Sequence, residues 1–363
     1  MSDTSNDVVF RRSMRGVSPE GQPFNAHTTS ISAEDHAGMP IASPSASILL
    51  ISPTNRILLL HRVQHSTSFA SAHVFPGGHL SPQDGFVPPI DDVRRHQDSA
   101  AYRIAAIREC FEESGLLLAN AKDASDQLVE LSEQERNNGR KAVHSQEVSF
   151  QDWVKEKGGL IDTEGLIPFT RWLTPANIPK RYSTQMYLYF LPIHSPLSSK
   201  TESSQMHIPT PDGGVEHTAA QFLYPQEWIH LALSGDIVLF PPQFFLLALI
   251  EPFLTQTKLT EDMSSMESLR EQREQLMRFV KEDGDPHWGE KCISPNPIKK
   301  TGQDLFMGLE DSGPELKGTS RRGDRMRLIR IRLAKDQERH RQRPEPQEVV
   351  WREDILGAEK GRM

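Results

Sequence analysis

Between Arg108 and Leu116 the chain reads Arg-Glu-Cys-Phe-Glu-Glu-Ser-Gly-Leu, which sets three carboxylates, Glu109, Glu112 and Glu113, close together. On a helix at about 100° per residue, with Glu109 at 0°, Glu112 falls at about −60° and Glu113 at about +40°, an arc of roughly 100°. Ile104, Ile107 and Phe111 take the opposite side. The helix therefore buries one face and crowds acid onto the other. Like charges at three- and four-residue spacing cost a few tenths of a kcal/mol per pair, and Arg108, one turn before Glu112, is the one local offset. A divalent cation is the natural counter-charge for the remainder. With no His or Cys in the cluster the donors are all oxygen, which suits Mg2+ or Mn2+ and not zinc. Magnesium held by a few carboxylates completes its octahedron with water and substrate phosphates, so the expected ligand is a small phosphate-bearing molecule.

Taken alone, Arg-Glu-x-x-Glu-Glu on a helix is more often a solvated face. Its company changes that reading. Phe75-Pro-Gly-Gly78 lies upstream, Asp84 follows, Ala105 and Ala106 flank the acidic arc with small side chains, and Gly115 stands where a helix ends on a left-handed residue. A double glycine ahead of an acidic helix lets backbone come close to a metal or phosphate.

These residues resemble the Nudix hydrolase box: Gly, five residues, Glu, seven residues, Arg-Glu, apolar, any, Glu-Glu, any, Gly, apolar. Gly78, His79 to Gln83 and Asp84 fill the first half, and Arg108 through Leu116 match the second without a break. Two departures stand out. Asp84 replaces a Glu, and the spacer from Gly85 to Ile107 is 23 residues, an insertion of 16. Such an insertion is similar to that of the animal coenzyme A diphosphatases of peroxisomes and mitochondria. Arg171-Trp-Leu-Thr-Pro175, Pro179-Lys-Arg-Tyr-Ser-Thr184, Glu216 ahead of a Trp228-containing helix, and Pro241-Pro242 extend the similarity.

The resemblance implies that Glu109, Glu112 and Glu113 bind divalent ions, that a Gly77 carbonyl adds a ligand, that Asp84 is a secondary ligand or capping group, and that Arg108 orients a glutamate. It implies hydrolysis of a diphosphate: metals neutralise charge and acidify a water that attacks one phosphorus in line, with no covalent intermediate. Glu216 and Glu109 are alternative general bases. Arg62 and Arg181 are candidates for substrate phosphates, because guanidinium binds them in a bidentate fashion; each also reads as a plain ion pair. Gly78 gives close approach to the substrate. The expected substrate is coenzyme A or acyl-CoA, giving (acyl)phosphopantetheine and adenosine 3′,5′-bisphosphate. ADP-ribose, NADH or another nucleotide is the rival within enzymes, and a catalytically silent Nudix-fold module binding a nucleotide or protein is the rival outside them. The intact carboxylates argue against the silent reading.

The elements that must position these groups follow from hydrophobic pattern and turn chemistry. Ser47–Ile51 and Arg56–Arg62 flank a Pro/Asn turn as a hairpin. A helix from about Ser99 to Ser114 carries the carboxylates, and Asp126 to Arg140 reads as a polar surface helix. Phe169–Leu173, Ser183–Leu191 and Ala219–Leu223 read as strands, Trp172 and Tyr187 being core aromatics or base-stacking groups. Helices are expected from Pro225, from Pro241-Pro242 and over Glu261–Lys281, then strand character at Asp304–Leu309, Arg325–Leu333 and Glu348–Trp351. The expected fold is α/β: a Nudix α/β/α sandwich with a mixed β-sheet, plus a disordered N-terminus and a C-terminal appendage. The divisions are a leader over 1–44, the Nudix domain over 45–255 with the box insertion at 85–98, an amphipathic helix over 256–290 and a basic appendage over 291–363.

Composition bounds the alternatives. The 363 residues carry a formal net charge of −8, 36% hydrophobic residues and two cysteines, too few for a disulfide framework or a Cys-based zinc site. From Lys291 onward there are 17 Lys+Arg against 12 Asp+Glu, which leaves 24 against 37 before it. An acidic body argues against nucleic acid as the main ligand, and no run approaches the ~20 apolar residues of a membrane span. The final Gly361-Arg-Met363 loosely resembles a small-basic-apolar peroxisomal ending. Peroxisome, mitochondrion or cytosol are the expected locations, and a single sequence gives no oligomeric state.

Overall fold

The computed structural model describes residues 40–63, 71–193, 209–210, 217–257, 263–336 and 341–357. The leader expected over 1–44 falls outside these residues up to position 39, as do Glu216 and the Gly361–Met363 ending. The first strand, β1, spans Ser43–Ile51 and pairs with β2, Ile57–Arg62, across a turn in which Asn55 takes φ 59°. Two short strands, β3 (His73–Val74) and β4 (Gly77–His79), pair with β2 and β1. Then come helix α1 (Ala100–Ser114), a small antiparallel sheet of β5 (Ala119–Ala121), β6 (Ala124–Leu128) and β7 (Gly159–Ile161), and within it helices α2 (Glu133–His144) and α3 (Phe150–Glu156). Strands β8 (Ile167–Leu173), β9 (Tyr182–Phe190) and β10 (His217–Leu223) return to the main sheet, followed by α4 (Pro225–Ser234), α5 (Pro241–Ile250) and α6 (Met263–Glu282). The last part holds β11 (Cys292–Ile293), an antiparallel sheet of β12 (Asn296–Thr301), β13 (Asp304–Leu309), β14 (Asp324–Asp336) and β15 (Arg341–Trp351), and α7 (Arg352–Leu356).

The main sheet runs β10-β2-β1-β9-β8-β11, with β1–β9 and β8–β11 parallel and the other pairs antiparallel. It is mixed, as expected. Period-two alternation divides its faces. Ile48 and Leu50 of β1 pack with Tyr102, Ala105, Ala106, Ile107, Cys110 and Phe111 of α1. Leu49 and Ile51 face α4, α5 and α6 through Trp228, Phe245, Leu249, Leu276 and Phe279. Trp172 and Tyr187 lie in these two cores, so neither is a stacking surface. Cys110 behaves as a small hydrophobe, its thiol pushed up to about 12 by burial.

Two expectations are corrected, for the polar helix and for the region from 291. The polar helix placed at Asp126–Arg140 begins at Glu133, because Ser132 and Glu135 form a capping box that starts it there, and Ala124–Leu128 pairs as a strand instead. The box insertion at 85–98 is anchored at its far end: His96 is buried with Nδ1 2.8 Å from Ser183 Oγ, and the Tyr102 hydroxyl donates to the Arg95 carbonyl at 2.6 Å. Finally, the region from 291 is not an appendage. Cys292 and Ile293 extend the main sheet beside Arg171 and Trp172, and Leu309, Ile329 and Ile331 belong to the same core as α5.

Candidate active site

The acidic helix ends where its sequence says it should. Gly115 adopts φ 75° and its N–H donates to the Phe111 carbonyl. Arg140 of α2 then takes two of the last free carbonyls, Nε donating to Glu112 O at 2.9 Å and Nη2 to Glu113 O at 3.0 Å. The side chains of Glu109, Glu112 and Glu113 keep 17%, 9% and 7% of their exposure, so three acids are crowded and largely out of water.

Arg108 is the hub. Its Nη1 donates to Glu109 Oε1 at 2.9 Å and to Glu112 Oε1 at 2.8 Å, and its Nη2 donates to the His79 carbonyl at 2.9 Å. Nε and Nη2 make a bidentate pair with Asp84 at 2.8 and 2.9 Å. Burial works against its charge, but Asp84, Glu109 and Glu112 together raise its pKa above the ordinary value. Asp84 also accepts from the Ser81 N–H at 2.7 Å, closing a short turn over Pro82–Asp84. Asp84 is thus fully buried and committed to Arg108 and its own turn, which corrects its expected place among the metal ligands.

The glycines serve the neighbouring acids. Gly77 N–H donates to Glu113 Oε2 at 2.8 Å. A Cβ added at Gly78 would lie 2.5 Å from Glu109 Oε2, so this carboxylate sits in a cradle that only glycine leaves open. Burial, opposed by Arg108 and reinforced by Glu112 and Asp84, pushes Glu109 up to about 7. Among the described residues no three His, Cys, Asp or Glu side chains converge on one point; Arg108 Nη1 lies between Glu109 and Glu112, and Glu113 turns toward Gly77. The donor chemistry nonetheless fits a hard divalent cation: three carboxylates, all oxygen and largely out of water, lie together, and two of them share one arginine already held by Asp84.

A cavity of about 450 Å3 opens over these groups. Its floor is Glu109, Glu112 and Glu113, one wall is His79 to Gln83, and the other is the end of α2 with Lys141 and His144. That volume is in the range of small-ligand pockets. Arg62 ends β2, opposite His217 in the ladder, and is not part of the cavity lining. Arg181 has another task. Nη2 donates to Glu315 Oε2 at 3.0 Å, Nη1 donates to Glu315 Oε1 and to Pro40 O, and Nε donates to Thr174 O. With its side chain wholly buried, it is an internal ion pair and not a phosphate ligand.

Sequence reasoning missed three neighbours. His217 adjoins Glu216 and is fully buried, with Nε2 3.6 Å from Glu113 Oε1. His144 brings Nδ1 within 3.0 Å of Glu112 Oε2, and Arg140 anchors α2 to α1. The available signal was the i, i+4 spacing of Arg140 and His144, masked by placing the helix end at 140.

The chain resembles several known proteins. The family model of the NUDT19 Nudix domain matches residues 90–250. The Caenorhabditis elegans protein named as nudix hydrolase 7 is 24% identical over 73% of this chain and 70% of its own length. Proteins named acyl-coenzyme A diphosphatase NUDT19 from Gallus gallus and Xenopus laevis are 28% and 27% identical over 52% of this chain. The matched stretch spans 59% and 58% of those two relatives. A solved NUDIX hydrolase from Alicyclobacillus acidocaldarius aligns with TM-score 0.45 at 18% identity, over 58% of this chain and 91% of that one. Over residues 90–250, the stretch that holds the box helix, the chain is similar to the NUDT19 Nudix domain, and it resembles proteins named as Nudix hydrolases.

Proposed function

We propose that the protein is a Mg2+- or Mn2+-dependent diphosphatase that hydrolyses the diphosphate linkage of coenzyme A or acyl-CoA, giving (acyl)phosphopantetheine and adenosine 3′,5′-bisphosphate. The observation that carries the chemistry is the crowded trio Glu109, Glu112 and Glu113 on the floor of a ligand-sized cavity. The choice of coenzyme A is supported by the names of the vertebrate relatives.

Glu109, Glu112 and Glu113 would hold the cations, with the Gly77 carbonyl as a further oxygen. Held there, a divalent ion would neutralise diphosphate charge and polarise phosphoryl oxygen. The chain's own residues supply position. Asp84 locks the Arg108 fork, Arg108 sets the separation of Glu109 and Glu112, and the Gly77 N–H fixes the rotamer of Glu113. Glu109 and Glu216 are the two candidates for taking the proton of the attacking water; His217, beside Glu216, already reaches toward Glu113.

The test is direct. The full chain is incubated with Mg2+, Mn2+ or EDTA and a panel of CoA esters, ADP-ribose, NADH and dinucleoside polyphosphates, and products are identified by mass. Metal-dependent release of adenosine 3′,5′-bisphosphate from CoA is expected. Turnover of ADP-ribose or NADH alone transfers the reading to the rival substrates, and turnover of nothing in the panel sinks it.

A second expectation arises from the cradle at Gly78. The Cβ of Gly78→Ala meets the flexible end of Glu109, which can swing away at small cost to stability. Displacing a reacting-site group by about 1 Å costs on the order of 10²-fold in rate. Gly78→Ala is therefore expected to melt close to the parent temperature while losing about that much of kcat. Full activity in this variant would show that the position of Glu109 is unimportant.

A further inference from the structure

We propose that Lys141 forms a second phosphate subsite that reads a phosphomonoester carried by the substrate in addition to its diphosphate. This rests on the diphosphatase reading above and concerns which nucleoside diphosphate derivatives the cavity prefers.

Four cationic or potentially cationic groups besides His79 line the cavity: Arg108, Arg140, Lys141 and His144. Two are already spent. Arg108 is saturated by Asp84, Glu109, Glu112 and the His79 carbonyl. Arg140 caps the carbonyls of Glu112 and Glu113 and donates to Thr210 Oγ1 at 3.1 Å. Lys141 is different, for it is exposed at the cavity and has no carboxylate within ion-pair distance among the described residues. His144 has Nδ1 engaged against Glu112 at 3.0 Å and stands beside Lys141 as part of the wall, not as a donor to the phosphate.

The charge balance makes this subsite specific. The floor is acidic, so a diphosphate enters with the cations that the carboxylates hold. A further phosphomonoester brings roughly −1.5 to −2 more charge at neutral pH and needs a partner of its own. On the described walls that partner is Lys141. A cation in the last turn of a helix is also favoured simply by the helix dipole, but that bland role gives no reason for a lysine to face a cavity. Arg140 adds the rigidity, since by clamping the end of α1 it fixes the distance from Lys141 to the carboxylates.

The experiment has two arms on the full-length protein with Mg2+, and compares the parent, Lys141→Met and Lys141→Arg. In the first, kcat/KM is measured for CoA and for 3′-dephospho-CoA, which share the same diphosphate. The parent is expected to prefer CoA, Lys141→Met to reduce that preference about tenfold through KM, and Lys141→Arg to restore most of it. In the second, calorimetry compares adenosine 3′,5′-bisphosphate with AMP, which differ by one phosphomonoester. The parent is expected to bind the bisphosphate about tenfold more tightly, a gap that Lys141→Met closes. Equal affinity of the parent for the two nucleotides, or an equal loss on both CoA substrates in Lys141→Met, overturns the subsite. No hydrolysis of either CoA substrate with the calorimetric gap intact overturns the reaction and supports the subsite.

Discussion

Changing Glu112 and Glu113 together to glutamine is expected to reduce diphosphate hydrolysis by at least about 10³-fold while the protein stays folded. The substitution keeps shape and hydrogen-bonding length but removes two of the three crowded negative charges that offset a divalent cation. A metal that neutralises phosphoryl charge contributes several kcal/mol of transition-state stabilisation, and each 1.4 kcal/mol is tenfold in rate, so ~10³ is a modest expectation. Stability should move little. Glutamine at 113 can still accept from Gly77 N–H, and relief of the like-charge pairs on α1 compensates for the weaker contact from Arg108 to position 112. Steady-state rates with Mg2+, Mn2+ titration calorimetry and thermal melts check the three parts separately. A double variant that retains more than a tenth of the parental rate removes these carboxylates from the mechanism.

Glu315→Ala is expected to cost about 3–5 kcal/mol of stability, the loss typical when one partner of a buried ion pair is deleted. Arg181 is walled in on every side, and its remaining acceptors are the carbonyls of Thr174 and Pro40, which cannot balance its charge. The cost is that of a stranded cation and not the worth of the bond. For that reason the joint replacement Arg181→Met with Glu315→Leu should recover most of the loss, since well-packed apolar groups often match a buried pair. Urea midpoints of the two variants decide the matter. A Glu315→Ala loss below about 1 kcal/mol would fit a solvated pair and contradict the enclosed geometry.

The acidic helix was legible because its information is local. Residues three and four apart share a face, and Gly115 ends the helix by a rule that acts within one turn. The β1–β2 hairpin was legible for a similar reason, from two apolar runs joined by a Pro/Asn turn, and the pleat then sends Ile48 and Leu49 to opposite cores. Arg181 was misjudged because its partner is 134 residues away, and nothing local tells a buried guanidinium from a ligand-binding one. Asp84 was half legible. Its place in the box was clear, but its pairing with Arg108 depends on how the inserted stretch folds back over α1. Lys141 and His144 were overlooked since a cavity wall exists only after β5, β6 and β7 bring α2 against the end of α1. Ser132 and Glu135 did carry the start of that helix, and a stricter reading of the capping box would have found it.

The closing of the main sheet by β11 has a consequence for the order in which the molecule is made. At a synthesis rate of roughly 5–20 residues per second, the 134 residues that separate Arg181 from Glu315 take roughly 7–27 s to emerge. During that interval the half-made protein has all of its acidic helix and adds β9 and β10 to its sheet, yet the free edge of β8 and the charge of Arg181 are both uncovered. An open strand edge is a template for pairing with a neighbouring chain. Each ribosome thus carries, for several seconds, a product whose acidic helix is complete while one flank is still adhesive, and the last fifth of the sequence arrives as its cover.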